Sequence, residues 1–146
     1  MGLDMFLFAE KNVYDWNKKD KELSDKLFEA TGVKVSSFKT EVGYWRKANA
    51  IHRWFVDNCQ RGVDECQLTY VPIEKLEVLL SWVNQVLVDP EKLGPELLPT
   101  ASGFFFGGTD YDEWYVQDLE ETKQILERVL SDKILEDYDI YYQSSW

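Results

Sequence analysis

The stretch VGYWRKANAIHRWF, Val42 to Phe55, gathers aromatic, basic and amide side chains around the only histidine in the chain. Aromatic faces stack on nucleobases, and arginine and lysine pair with phosphates. Tyr44, Arg46, Lys47, Asn49, His52 and Arg53, joined by Phe105 and Trp114, are therefore candidates for a pocket that takes a small nucleotide. Asn49 could read a base edge or hold a polar network. The competing reading is internal. Trp45 falls on an inward stripe, and Arg46 and Arg53 would pair with carboxylates of an acidic final helix, neutralising opposed charges within one molecule.

A catalytic role for His52 would need an orienting carboxylate and a nucleophile beside it. The sequence has no G-x-S-x-G, no P-loop, no H-E-x-x-H and no paired-aspartate metal signature. A lone histidine beside an apolar stripe reads first as a hydrogen-bonded core residue. The segment GFFFGGTDYDEW resembles a phosphate loop feeding a helix N-terminus. Asp110, Asp112 and Glu113 in that first turn would repel phosphate, so the glycines are read as permitting a sharp turn. An enzyme acting on a nucleotide or sugar phosphate stays open as the alternative. It would use His52, or Asp110 with Asp112 and Mg²⁺.

Charge points to another kind of partner. The net charge is −11, from 27 acidic and 16 basic residues, which opposes direct binding of nucleic acid through its phosphates. Asp112, Glu113, Asp118, Glu120, Glu121 and Glu127 crowd one predicted helix and form a candidate interaction surface for a partner protein with a basic face. A well-solvated acidic surface is the plainer reading. The two cysteines, Cys59 and Cys66, fit neither a disulfide scaffold nor a common zinc knuckle, so no cofactor or metal is expected.

The elements that must position these residues can be read from periodicity. GLDMFLFAE alternates, with Leu3, Met5 and Leu7 on one side and Phe6 and Phe8 on the other; apolar on both faces, it reads as a buried central strand. NKKDKELSDKLFEATG reads as a helix burying Leu23, Leu27 and Phe28 and stopping at Gly32. VKVSSFKTEV has strand alternation through Val33, Val35 and Ser37. A helix is expected from Tyr44 to Gln60, with Trp45, Ala48, His52, Phe55 and Cys59 inward and Ile51 beside them. CQLTYVP is a short strand, Ile73 to Leu87 a helix, and EKLGPELLPTASG a loop. GFFFGG suits a buried strand or tight aromatic turn. Thr109 with Asp112 resembles a capping box opening a helix striped by Tyr111, Tyr115, Leu119, Thr122, Leu126 and Val129. ILEDYDIYYQSSW closes as a strand. The expected fold is α+β: one compact domain over residues 1–146, its small sheet joining first and last strands against about three helices.

No apolar run approaches the roughly 18 residues that span a bilayer, and MGLDMFLFAEKN has Asp4 where a signal peptide wants positive charge. Phe6 stands where a myristoylation signal wants serine or threonine. A soluble, cytoplasmic protein without membrane contact is expected.

Three segments together, GLDMFL, GYWRKANAIHRWFV and GFFFGGTDYDEWYVQDLEETKQIL, resemble a family of small acidic proteins encoded by bacteriophages and prophages. They cover both ends and the centre of the chain and mark the family without assigning an activity. The resemblance implies a phage accessory protein working in the host cytoplasm. By class it implies a non-enzymatic antagonist of host defence: an anti-CRISPR-like or DNA-mimic-like protein inhibitor, or a sponge for a nucleotide signal. Homo-oligomerisation through exposed aromatics is a further expectation.

Overall fold

The computed structural model describes residues 2–146, which fold as a four-stranded antiparallel sheet with five α-helices. In chain order these are β1 (Asp4–Asn12), α1 (Lys18–Thr31), β2 (Ser37–Arg46), α2 (Asn49–Cys59), β3 (Thr69–Tyr70), α3 (Ile73–Val88), α4 (Pro90–Leu97) and α5 (Glu113–Ser131). A 3₁₀ helix (Lys133–Asp137) then leads into β4 (Asp139–Ser145). The strand order is β2-β1-β4-β3, so the first and last strands pair directly at the centre, as the sequence predicts.

One face of the sheet carries the core. Leu3, Met5, Leu7 and Ala9, the last three in β1, and Ile140 and Tyr142 of β4 are buried with Ile51 and Phe55 of α2, Leu76 and Leu79 of α3, and Leu119 and Leu126 of α5. The other face displays Phe6, Phe8 and Tyr141 half-buried and Tyr44 and Tyr70 exposed. The expectation that β1 is buried on both faces is thus corrected: an antiparallel sheet can leave one face to solvent.

Two helices depart from expectation. α1 has the predicted bounds, capped by Asn17, which accepts from the Asp20 amide, and ended by Gly32 at φ 72°. Yet its buried residues are Asp20 and Ser24, while Leu23 and Phe28 are exposed. A polar anchor orients it: Asp20 accepts from the Tyr14 amide at 3.3 Å and pairs with Lys11 at 3.3 Å. α4 lies in the predicted loop. Pro90 opens it at a position that has no N–H to satisfy, and Gly94 lets it approach α5, since a Cβ there would lie 2.7 Å from the Tyr111 ring.

The segment Val42–Phe55 is not one helix. Tyr44, Trp45 and Arg46 are the last residues of β2, and α2 begins only at Asn49. Trp45 sits opposite Met5 of β1 and donates from Nε1 to Thr122 at 2.9 Å. Those long-range contacts hold the backbone extended, and Lys47 then turns it at φ 58°. Helical spacing nonetheless picked out buried residues, since Trp45, Ala48, Ile51, His52 and Phe55 are all in the core.

Candidate functional site

The break between β2 and α2 faces a long loop, and Asn49 fastens the two. Its Nδ2 donates to the carbonyls of Phe106 (3.0 Å) and Gly108 (2.8 Å), and its Oδ1 accepts from the Ala101 amide (2.9 Å). Buried at the first position of α2, Asn49 is a structural staple whose amide is fully engaged. Thr100 ties the loop to itself through the Thr109 carbonyl, and the Tyr115 hydroxyl donates to Leu98 O at 2.7 Å. The loop tip is a turn, with Phe104 and Phe105 exposed and only Phe106 buried.

Between this loop, the end of β2 and the start of α5 lies a cleft of about 260 Å³. Arg46 and Lys47 supply cations to it, Asp110, Asp112 and Asp118 supply carboxylates, and Trp114, two-thirds exposed, supplies an aromatic ring. Arg46 donates to Asp4 Oδ1 at 2.7 Å, and the Tyr44 hydroxyl donates to the same oxygen. The Tyr44 hydroxyl, and after it Arg46, hold the Asp4 carboxyl below its ordinary pKa. Two residues here take left-handed backbone without being glycine, Lys47 (φ 58°) and Phe105 (φ 56°). They converge on Gly2, where a Cβ would meet Lys47 Cε at 3.1 Å and the Phe105 carbonyl at 3.3 Å. Such strain is held only where surrounding contacts enforce it, and it concentrates at working sites.

The carboxylates of the cleft are not equivalent. Asp112 is the N-cap of α5, its Oδ1 accepting from the amides of Trp114 and Tyr115 at 3.1 Å. The helix therefore starts three residues later than the predicted capping box, and its free amides are taken by this side chain. Asp118 is half-buried on the inner flank of α5. Burial, then the charges of Glu121 and Asp112, push its pKa up to about 7. Perturbation of this kind in a cleft marks a candidate functional group.

Of the predicted ligand residues, Arg46, Lys47, Asn49 and Trp114 come together at the cleft, and Tyr44, His52, Arg53 and Phe105 do not line it. His52 is a core residue: Nδ1 meets the Tyr142 hydroxyl at 2.6 Å and Nε2 meets Asp64 at 2.8 Å. Both ring nitrogens are occupied and the ring is buried, which matches the hydrogen-bonded core residue that the sequence suggests first and leaves His52 outside the predicted ligand pocket. Arg53 donates to Thr100 O at 3.0 Å and pairs with Asp57 of its own helix at 3.6 Å. Arg46 pairs with Asp4 and Arg53 with Asp57, where the internal reading of the sequence has carboxylates of the final helix. Glu113, Glu120, Glu121 and Glu127 are exposed along α5, whereas Asp112 and Asp118 turn out to belong to the cleft.

Sequence reasoning misses Thr100 and places Asp112 and Asp118 on the outer acidic surface, and Asp4 enters only as the partner of Arg46. For Asp118 the signal was present. It stands three residues after Tyr115 and four before Thr122, so it adjoins the inward stripe. Cys59 is a free thiol raised by burial to about 11, hence unreactive. Among the described residues no group of histidine, cysteine, aspartate and glutamate could hold a metal ion, and no helix is long and apolar enough to cross a membrane. No family model matches the sequence, no curated protein is similar to it, and no solved structure matches its fold.

Proposed function

We propose that the protein binds a small nucleotide in this cleft and acts by occupancy, without turning it over. The observation that carries this reading is the lining of one cleft by Arg46, Lys47, three carboxylates and the exposed ring of Trp114. Lys47 makes no ion pair among the described residues, in a chain with many more acids than bases. A phosphate would face the cations, a base would stack on Trp114, and ribose hydroxyls or exocyclic amines would donate to Asp110 and Asp118. Resemblance to small acidic phage proteins supports a place in the host cytoplasm as an antagonist of defence, here a sponge for a nucleotide signal. A second reading rests on Asp118. A carboxyl poised near neutrality could act as a general acid or base in a small enzyme acting on the same ligand class.

Calorimetric titration with 5′-monophosphates and cyclic nucleotides of the four bases tests the proposal. At least one should bind, and Trp114→Ala and Lys47→Gly should each weaken it at least about tenfold. Glycine is chosen because it keeps the left-handed turn at position 47. Reversing Glu120 and Glu121 to lysine should leave nucleotide binding intact; if it abolishes binding, or if none of these nucleotides binds, the cleft is not the working site. Ligand recovered unchanged supports occupancy. Conversion that disappears in Asp118→Asn supports the enzyme.

A further inference from the structure

The outer edge of β2 is the longest free edge of the sheet. β2 is ten residues long, pairs with β1 on one side and ends the strand order on the other. Lys39, Thr40 and Glu41 in its middle are exposed. A free edge of this length presents unpaired amides and carbonyls as a template for another strand. One of these carbonyls is capped by a side chain: Arg128 of α5 donates to Val42 O at 2.9 Å. Val42 is the bulge residue, left out of register between Leu7 and Phe8 of β1.

Beside this edge runs a groove of about 470 Å³ between β2 and α5, floored by Val42, Gly43, Ile125, Val129 and Leu135. Gly43 is required there, because a Cβ would stand 2.7 Å from Ile125 Cγ2. The order of charges along the strand supplies the occupant. Lys39 and Glu41 flank Thr40 and share the outer face, where Lys39 Nζ rests 4.0 Å over the Phe8 ring.

We infer that a second copy of this chain docks on this edge, β2 against β2, antiparallel about Thr40. In that register each Lys39 lies opposite the other copy's Glu41, and the arrangement is its own complement under two-fold symmetry. Phe38, half-buried and one residue from Lys39, lies opposite the other copy's Val42, a residue that lines the groove. Four strands become a continuous sheet of eight. Directly opposed unlike charges favour the pair, and like charges there disfavour it. The high net negative charge of each copy resists association, so the dimer tightens as salt screens it. The inference is independent of the nucleotide reading, because the cleft lies at the other end of β2.

Sedimentation velocity on the full chain over about a hundred-fold concentration range tests it. Wild type should be a concentration-dependent dimer. Glu41→Lys and Lys39→Glu should each shift the dimer Kd by at least about tenfold toward monomer. Mixed in equal amounts, the two variants should recover a heterodimer, since the lysines of one copy would then oppose the glutamates of the other at both paired positions. This recovery also shows that neither variant had lost its fold. A wild type that stays monomeric throughout, a dimer that survives both single changes, or a mixture that stays monomeric overturns the inference.

Discussion

Asn49 shows how a single side chain can set a site without touching a ligand. It holds two carbonyls and one amide of the loop over the cleft, all at 3.0 Å or less. Replacement by alanine strands those groups, and we expect a loss of about 3 kcal/mol of stability, read by urea denaturation. Asp118 makes a prediction of opposite sign. Its carboxyl is raised to about 7 in the folded protein against an ordinary value of 3.8. The unfolded chain therefore loses this proton first, and the group's contribution to stability declines as pH rises from about 4 to about 7. Asp118→Asn should match wild type near pH 4. At pH 8 it should be more stable by about 1 to 2 kcal/mol, less than the full shift implies because the side chain keeps contact with solvent. Denaturant midpoints across that range, with no divergence between the two proteins, would refute a raised carboxyl.

At the scale of elements, close approach decides where helices sit. α4 carries a proline inside it and would be a weak helix alone. It persists because Gly94 lets its backbone meet Tyr111 and Tyr115, and Leu98 O then receives the Tyr115 hydroxyl. Gly94→Ala puts a methyl group 2.7 Å from one ring and 2.9 Å from the Tyr115 oxygen. A loss of about 2 kcal/mol is expected from this overpacking, with the cleft loop loosened along with it. Thermal denaturation and hydrogen exchange over residues 98–112 would show both. An unchanged midpoint would mean that α4 can shift without disturbing α5.

For the whole molecule the dominant field is its own charge. A net charge of −11 on 146 residues destabilises the compact state by self-repulsion. Raising sodium chloride from about 20 to about 500 mM shortens the Debye length several-fold, and the midpoint of thermal unfolding should rise. A fall would mean that local ion pairs such as Lys11 with Asp20 outweigh the global field. The same field steers anionic ligands away, so the cations at the cleft matter more here than they would on a neutral protein.

Sequence periodicity determined the inward stripe of α5, the central pairing of the two terminal strands and most of the core, because burial follows hydrophobic spacing. It also brought Arg46, Lys47, Asn49 and Trp114 to notice by residue type alone. It misassigned the elements carrying them. Tyr44 to Arg46 fit a helical stripe and a strand equally well, and only the partner strand β1 and the bond from Trp45 to Thr122 select the strand. Which polar groups are already satisfied was likewise beyond reach. The sequence suggests that His52 and Asn49 are hydrogen-bonded but does not name their partners, because Tyr142, Asp64 and the 101–108 loop arrive from distant parts of the chain. Local pattern fixes what a segment can bury; long-range contacts decide what remains free to bind.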